Sequence, residues 1–214
     1  MPYLLARWQG LTRSLGCASQ AVDKIYYIIH SSYSQYFRHY HSMKHLADVL
    51  GHLDEVRSEL SDPRLVEYAL WFHDIVCVPN ADTNEYLSSA VACYAAAELG
   101  LPPGFGRQSA DLILQTGHLR PAATSDGAYL TDSDLAVLGR EWLSFLDYET
   151  QIRAEYQFLS EEEYRISRQQ ILERFLSLPA IYQTSYFRAK YEQSARRNLA
   201  ALVSILKPSR RRRI

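Results

Sequence analysis

Leu46, Val49, Leu50, Leu53, Val56 and Leu60 recur at three- and four-residue steps, and that spacing constrains the fold more than any other feature of the chain. At about 3.6 residues per turn these side chains fall on one stripe of a helix, whereas a strand would scatter them over both of its faces. Helical periodicity continues almost everywhere else. Strand-like alternation is nearly absent, no internal repeat is visible, and no linker divides the chain. The expectation is an all-α, single-domain helical bundle over residues 1–206.

Local punctuation predicts where the helices start and stop. Ser42 opens the striped helix. Asp62-Pro63 supplies an N-cap and a first-turn proline for a second helix, which should run through His73-Asp74 until Val78-Pro79-Asn80 stops it. Asp82 and Glu85 have capping-box spacing before an Ala-rich helix closed by Gly100 and Pro102-Pro103. A further helix is expected over about residues 107–118, then a surface loop through RPAATSDGAY, then a helix starting near Thr131-Asp132. Ser160 with Glu163 marks another start, Pro179 its end, and the last helix should span about residues 184–206.

A net charge of -1 gives no overall drive toward nucleic acid or anionic membrane, so neither is expected as a specific partner. No apolar run reaches the roughly 18 residues of a membrane span. Cys17, Cys77 and Cys93 are odd in number and form no CxxC, which points to a reducing, cytoplasmic setting. Residues 207–214 form a basic tail, Arg210 to Arg213, read as a solvated, mobile end.

The segment YALWFHDIVC poses the functional question, because it sets His73 and Asp74 side by side in the most apolar part of the chain. A buried carboxylate without a partner loses several kcal/mol of hydration, so a cap, a salt bridge or a metal ion must compensate it. His41 and His45, four residues apart in YHSMKH, project from the same side of a helix. Asp132 and Asp134, in LTDSDLAVLG, lead a helical run back to the core. The chain therefore offers an imidazole, an imidazole–carboxylate pair and a further carboxylate on separate helices. Such a set suits one divalent ion of borderline or hard character: Mn²⁺, Mg²⁺, Co²⁺, Ni²⁺ or Fe²⁺.

The order RHYHSMKH, ALWFHDIV, NEYLSSA, TGH, TDSDLAVLG and QIRAEY, from about Arg7 to Leu202, resembles an uncharacterised branch of the HD superfamily of metal-dependent phosphohydrolases. One departure is Cys77, where related sequences carry tyrosine. The resemblance implies an HD-type domain with His45, His73, Asp74 and one of the two later aspartates as metal ligands. Asp134 is preferred, because the superfamily aspartate precedes the leucine that re-enters the core, while Asp132 suits an N-cap. His41 stays open as an alternative first ligand or a phosphate contact. The resemblance gives Asp74 the role of orienting or deprotonating a water. His118 either takes part in catalysis or simply ends a helix, where the dipole favours a histidine. Glu85 binds a water or substrate, or only caps its helix. Arg38 and Arg153 clamp a phosphate, or form surface ion pairs.

The function implied is metal-dependent hydrolysis of a small phosphorylated, nucleotide-like substrate by a cytoplasmic enzyme, with homodimerisation open. The alternatives are an HD module that binds metal or nucleotide without turnover, a paired-iron oxygenase, and a helical protein in which His73-Asp74 is only structural.

Overall fold

The computed structural model describes residues 2–17, 19–118 and 120–207; the expected basic stretch Arg210–Arg213 lies outside the described residues. Among the described residues there are ten α-helices and no strand, as the periodicity requires: α1 Pro2–Ser14, α2 Ser19–Tyr33, α3 Met43–Glu55, α4 Pro63–Phe72, α5 Asn84–Glu98, α6 Pro103–Ile113, α7 Ser125–Leu135, α8 Trp142–Glu155, α9 Glu161–Ser177 and α10 Ser185–Leu206. They fall into two compact units, Met1–Asp134 and Leu135–Ile214. No helix among the described residues is long and apolar enough to cross a membrane.

In the first unit α4 is the buried centre. Val66, Tyr68, Ala69, Leu70, Trp71 and Phe72 are all fully inaccessible, so the second half of this helix is buried on every side, its one charge, Glu67, being paired with Arg7 and Arg57. Trp8 of α1 packs edge-on against Trp71 and Phe72, and its indole N–H donates to the Val22 carbonyl. Each large side chain so buried contributes roughly 1.5–3 kcal/mol. The stripe of α3, namely Leu46, Val49, Leu50 and Leu53, is buried with it, as is Val56 at its C-cap. Asp62 caps α4 as expected, its carboxylate accepting from the backbone amides of Arg64 and Leu65.

Several expected boundaries are corrected, among them α6, which begins at Pro103 and ends at Ile113 where a helix over about residues 107–118 was expected. Helix α4 ends at Phe72 instead of running through His73-Asp74. His73 Nδ1 takes the Leu70 carbonyl (2.8 Å), the acceptor that the Asp74 amide would need, and the Asp74 amide donates instead to the Tyr33 hydroxyl (3.2 Å). No capping box forms at Asp82: Thr83 is the N-cap of α5 without a side-chain bond, and Asn84 closes the preceding turn through both the amide and the carbonyl of Val78. Helix α7 begins at Ser125, not near Thr131-Asp132, so Asp132 lies inside the helix, fully buried, and is no N-cap. The Thr124 hydroxyl, which accepts from the Gly127 amide, supplies the start signal. The Asp126 carboxylate then ties that helix end to the amides of Ser61 and Asp62. At the other end of α5, Gly100 is left-handed (φ +74°) and the Leu101 amide reaches the Ala96 carbonyl, the helix stop read from the sequence.

In the second unit Ser160 and Glu163 form the expected capping box, and Thr184 caps α10 through the Phe187 amide. Phe145, Leu172, Tyr182, Phe187 and Leu199 are its buried core.

Candidate metal centre

Each member of the cluster reaches it through a local device described above. The stripe of α3 is buried, and His45, three residues into that helix, is carried inward with it until only 2% of it is accessible. His73 is the C-cap residue of α4, and Asp74 follows in the turn that replaces the next helical step. Asp134 lies in the last turn of α7. His118 follows the 3₁₀ turn after α6 in a left-handed conformation (φ 51°, ψ 22°), which costs a non-glycine residue about 1–2 kcal/mol.

These elements bring His45, His73, Asp74 and Asp134 together as a group that could hold a metal ion, with one donor atom from each lying within 4.8 Å of the others. His45 Nε2 and His73 Nε2 are 3.1 Å apart. Asp74 Oδ2 lies 3.3 Å from the first nitrogen and 3.1 Å from the second. Asp134 Oδ1 lies 3.3 Å and 3.6 Å from the same two nitrogens. An ion about 2.0–2.2 Å from every donor holds neighbouring donors about 3.0 Å apart at right angles and about 3.4 Å apart in a tetrahedron. The five separations, 3.1–3.6 Å, lie within about 0.2 Å of that range.

The chemistry of the donors fits a cation as well as their spacing does. A carbonyl can only accept, so the Leu70 bond places the His73 proton on Nδ1 and leaves Nε2 as a lone pair pointed at the cluster. That lone pair faces a carboxylate oxygen and a second imidazole nitrogen, an arrangement that repels unless a proton or a metal ion lies between them. The titration of the cluster expresses the same demand. Burial acts to lower the His73 pKa, yet the charge of Asp74 and the bonds to Asp134 and Asp74 outweigh it and hold the pKa well above its ordinary value. Burial likewise acts to raise Asp74 and Asp134. The charge of His73 and the bonds from His45 and His73 hold Asp74 well below the ordinary carboxylate range, and bonds from His118, His45 and His73 do so for Asp134.

The two imidazoles form the floor of the site, with side chains at most 1% accessible, while those of Asp74, Asp134 and His118 are 24%, 18% and 19% accessible. A small molecule therefore meets the carboxylates and His118 first. His118 Nε2 bonds Asp134 Oδ2 at 2.9 Å, which leaves Oδ1 turned to the two histidines. Asp134, not Asp132, belongs to the group.

The remaining sequence candidates are placed differently. His41 stands edge-on to His45 with ring centres 5.8 Å apart, and its charge adds to the lowering of Asp74, but it is not among the four. Glu85, in the first turn of α5, lies along Gly117, next to His118; a Cβ at Gly117 would sit 3.9 Å from its carboxylate oxygen. Arg38 is only 7% accessible and gives its guanidinium to backbone carbonyls. Arg153 belongs to the second unit, where it bonds the Tyr156 and Leu159 carbonyls and Glu161 at the end of α8. Tyr33, whose hydroxyl receives the Asp74 amide, is a participant the sequence did not single out: it is one tyrosine among sixteen, with no motif around it.

No protein-family model, curated protein or solved structure matches this chain.

Proposed function

We propose that this protein is a metal-dependent phosphohydrolase of the HD type, acting on a small phosphorylated, nucleotide-like molecule. The observation that carries the reading is the convergence of His45, His73, Asp74 and Asp134, four residues whose order along the chain resembles the HD superfamily ligand order. A divalent ion held there would supply Lewis acidity toward a phosphoryl oxygen and lower the pKa of water. The chain's own residues supply the rest. His45 and His73 are buried imidazoles whose Nε2 atoms would hold the ion, the second fixed by its Nδ1 bond to the Leu70 carbonyl. Asp74 keeps a partly accessible carboxylate with which to orient and deprotonate the attacking water. His118, tied to Asp134, is held beside the carboxylates as an imidazole able to neutralise phosphoryl charge or protonate the leaving oxygen. His41 and Glu85 are assigned to the substrate side. Arg38 and Arg153 are committed to backbone carbonyls, and their contacts support no substrate role.

The test is elemental analysis of the purified protein together with a phosphatase screen over nucleotides, sugar phosphates and related small phosphates, with added Mn²⁺, Co²⁺ or Mg²⁺. About one ion per chain and turnover of at least one substrate class are expected. Metal uptake with nucleotide binding but no turnover would favour the non-catalytic module, and absence of metal uptake would overturn the reading.

A further inference from the structure

Arg38 and Tyr33 lie outside the four-residue group, yet their polar atoms converge on the backbone beside Asp74. The Arg38 guanidinium donates from Nη1 to the Asp74 carbonyl (2.6 Å) and from Nη2 to the Ile75 carbonyl (2.8 Å). The Tyr33 hydroxyl accepts from the Asp74 amide (3.2 Å). Both backbone polar groups of Asp74, its N–H and its C=O, are therefore held by side chains from the α2–α3 region. The guanidinium also stacks 5.2 Å from the centre of the Tyr33 ring, and Tyr33 is 1% accessible. Arg38 reaches a second ligand-bearing segment as well: Nη1 lies 3.4 Å from the His41 carbonyl, two residues before α3 begins, and Nε bonds the Gln35 side chain (3.1 Å).

We infer that Arg38, with Tyr33, is the positioning device of the metal centre, setting the relative placement of His45 and Asp74 and hence the affinity for the ion. The physical reason is that Asp74 lies past the end of α4, so no helical hydrogen bond fixes its backbone. A planar fork with parallel donors can bridge two successive carbonyls, which the compact ammonium of lysine does less well. A carboxylate swung by a fraction of an ångström loses its shared contact with both imidazoles. The inference rests on the metal-site reading above and replaces the phosphate-clamp role for Arg38.

The experiment uses the full chain stripped of metal, with Mn²⁺ titrated calorimetrically and Co²⁺ followed by its visible spectrum, for the wild type and for Arg38→Gln, Arg38→Lys and Tyr33→Phe. Thermal melts in chelator report the fold separately. Arg38→Gln should weaken Mn²⁺ binding by about 10–100-fold, the loss usual for outer partners of metal ligands, and should shift the Co²⁺ bands. Arg38→Lys should recover part of the affinity, and Tyr33→Phe should lose less than Arg38→Gln. Should Arg38→Gln fail to fold, Arg38→Lys and Tyr33→Phe decide. Lowered melting temperatures with unchanged Mn²⁺ affinity and Co²⁺ spectrum would overturn the inference, leaving Arg38 a structural strap. A wild type that takes up no Mn²⁺ would instead overturn the metal-site reading, and the inference with it.

Discussion

In the second unit Arg168 and Glu149 are each 8% accessible, and the guanidinium fork meets both carboxylate oxygens while also donating to the Tyr148 hydroxyl. In the first, two imidazoles and two carboxylates meet in one cluster, to which His73 turns its Nε2 because Nδ1 is committed to the Leu70 carbonyl. Both regions draw ionisable groups away from water, and the two imidazoles lie at least as deep as the Arg168–Glu149 pair, so burial alone does not separate structure from chemistry. Complementarity does. The Arg168–Glu149 pair is complete in itself, with a positive fork, a negative acceptor and no demand on solvent. The His–Asp cluster sets acceptor against acceptor and is satisfied only when a proton or a metal ion lies between them.

The strongest way to break this contrast is to delete one member of each. His73→Ala or Asp74→Ala should reduce bound metal and phosphatase turnover to background while the helical circular dichroism persists. Retained metal by elemental analysis would remove the distinction. Arg168→Met should leave metal stoichiometry unchanged and cost about 3–5 kcal/mol in urea unfolding, because Glu149 is then buried without a partner. Replacing Arg168 and Glu149 together by apolar residues of similar volume should cost far less than the single change.

Protons sharpen the comparison. The folded pKa of His73 is raised, so its protonated ring stabilises the metal-stripped protein fully below its unfolded value of about 6.5, and this contribution is lost as pH rises through the higher folded value. For Asp74 and Asp134 the sign reverses: their contribution is present above about pH 4 and lost as pH falls through their lowered folded values. A metal ion needs the His73 lone pair, so it must displace that proton. Mn²⁺ affinity should therefore climb by up to about tenfold per pH unit below the raised folded pKa of His73 and level off above it, with a proton released on binding in the climbing range, as calorimetry in buffers of different ionisation enthalpy would register. A flat profile would mean that the cluster holds no such proton.

The smallest effects concern packing and caps. Gly139→Ala should cost about 1–3 kcal/mol, because its Cβ would come within 2.9 Å of the Tyr191 carbonyl oxygen and closer still to the Tyr191 side chain. Asp62→Ala removes the α4 cap and should cost about 1 kcal/mol in a urea melt. Neither should alter metal content, although Asp62 is a carboxylate on the segment that leads into His73.

Much of this organisation is readable along the chain. The stripe of α3, the Asp62-Pro63 start, the Gly100 stop and the Ser160 capping box are local events within a turn or two, where sequence spacing and physical spacing coincide. Reading failed where a distant partner took over a backbone group. Tyr33 and the His73 ring end α4 early, and the start of α7 was hidden in a stretch that composition marks as loop. Arg38 read as a phosphate clamp or a surface ion pair, and is neither, because an arginine beside histidines carries no sign of which carbonyls will claim it.

The sequence alone determined the all-helical class, most helix starts and stops, and the residue types able to hold a divalent ion, since these follow from short-range geometry and side-chain chemistry. Only the tertiary structure decided that Asp134 rather than Asp132 joins His45, His73 and Asp74, and that Arg38 and Tyr33 hold the Asp74 backbone. Convergence of groups tens of residues apart depends on how buried helices pack and end, and no pattern within a single helix encodes it.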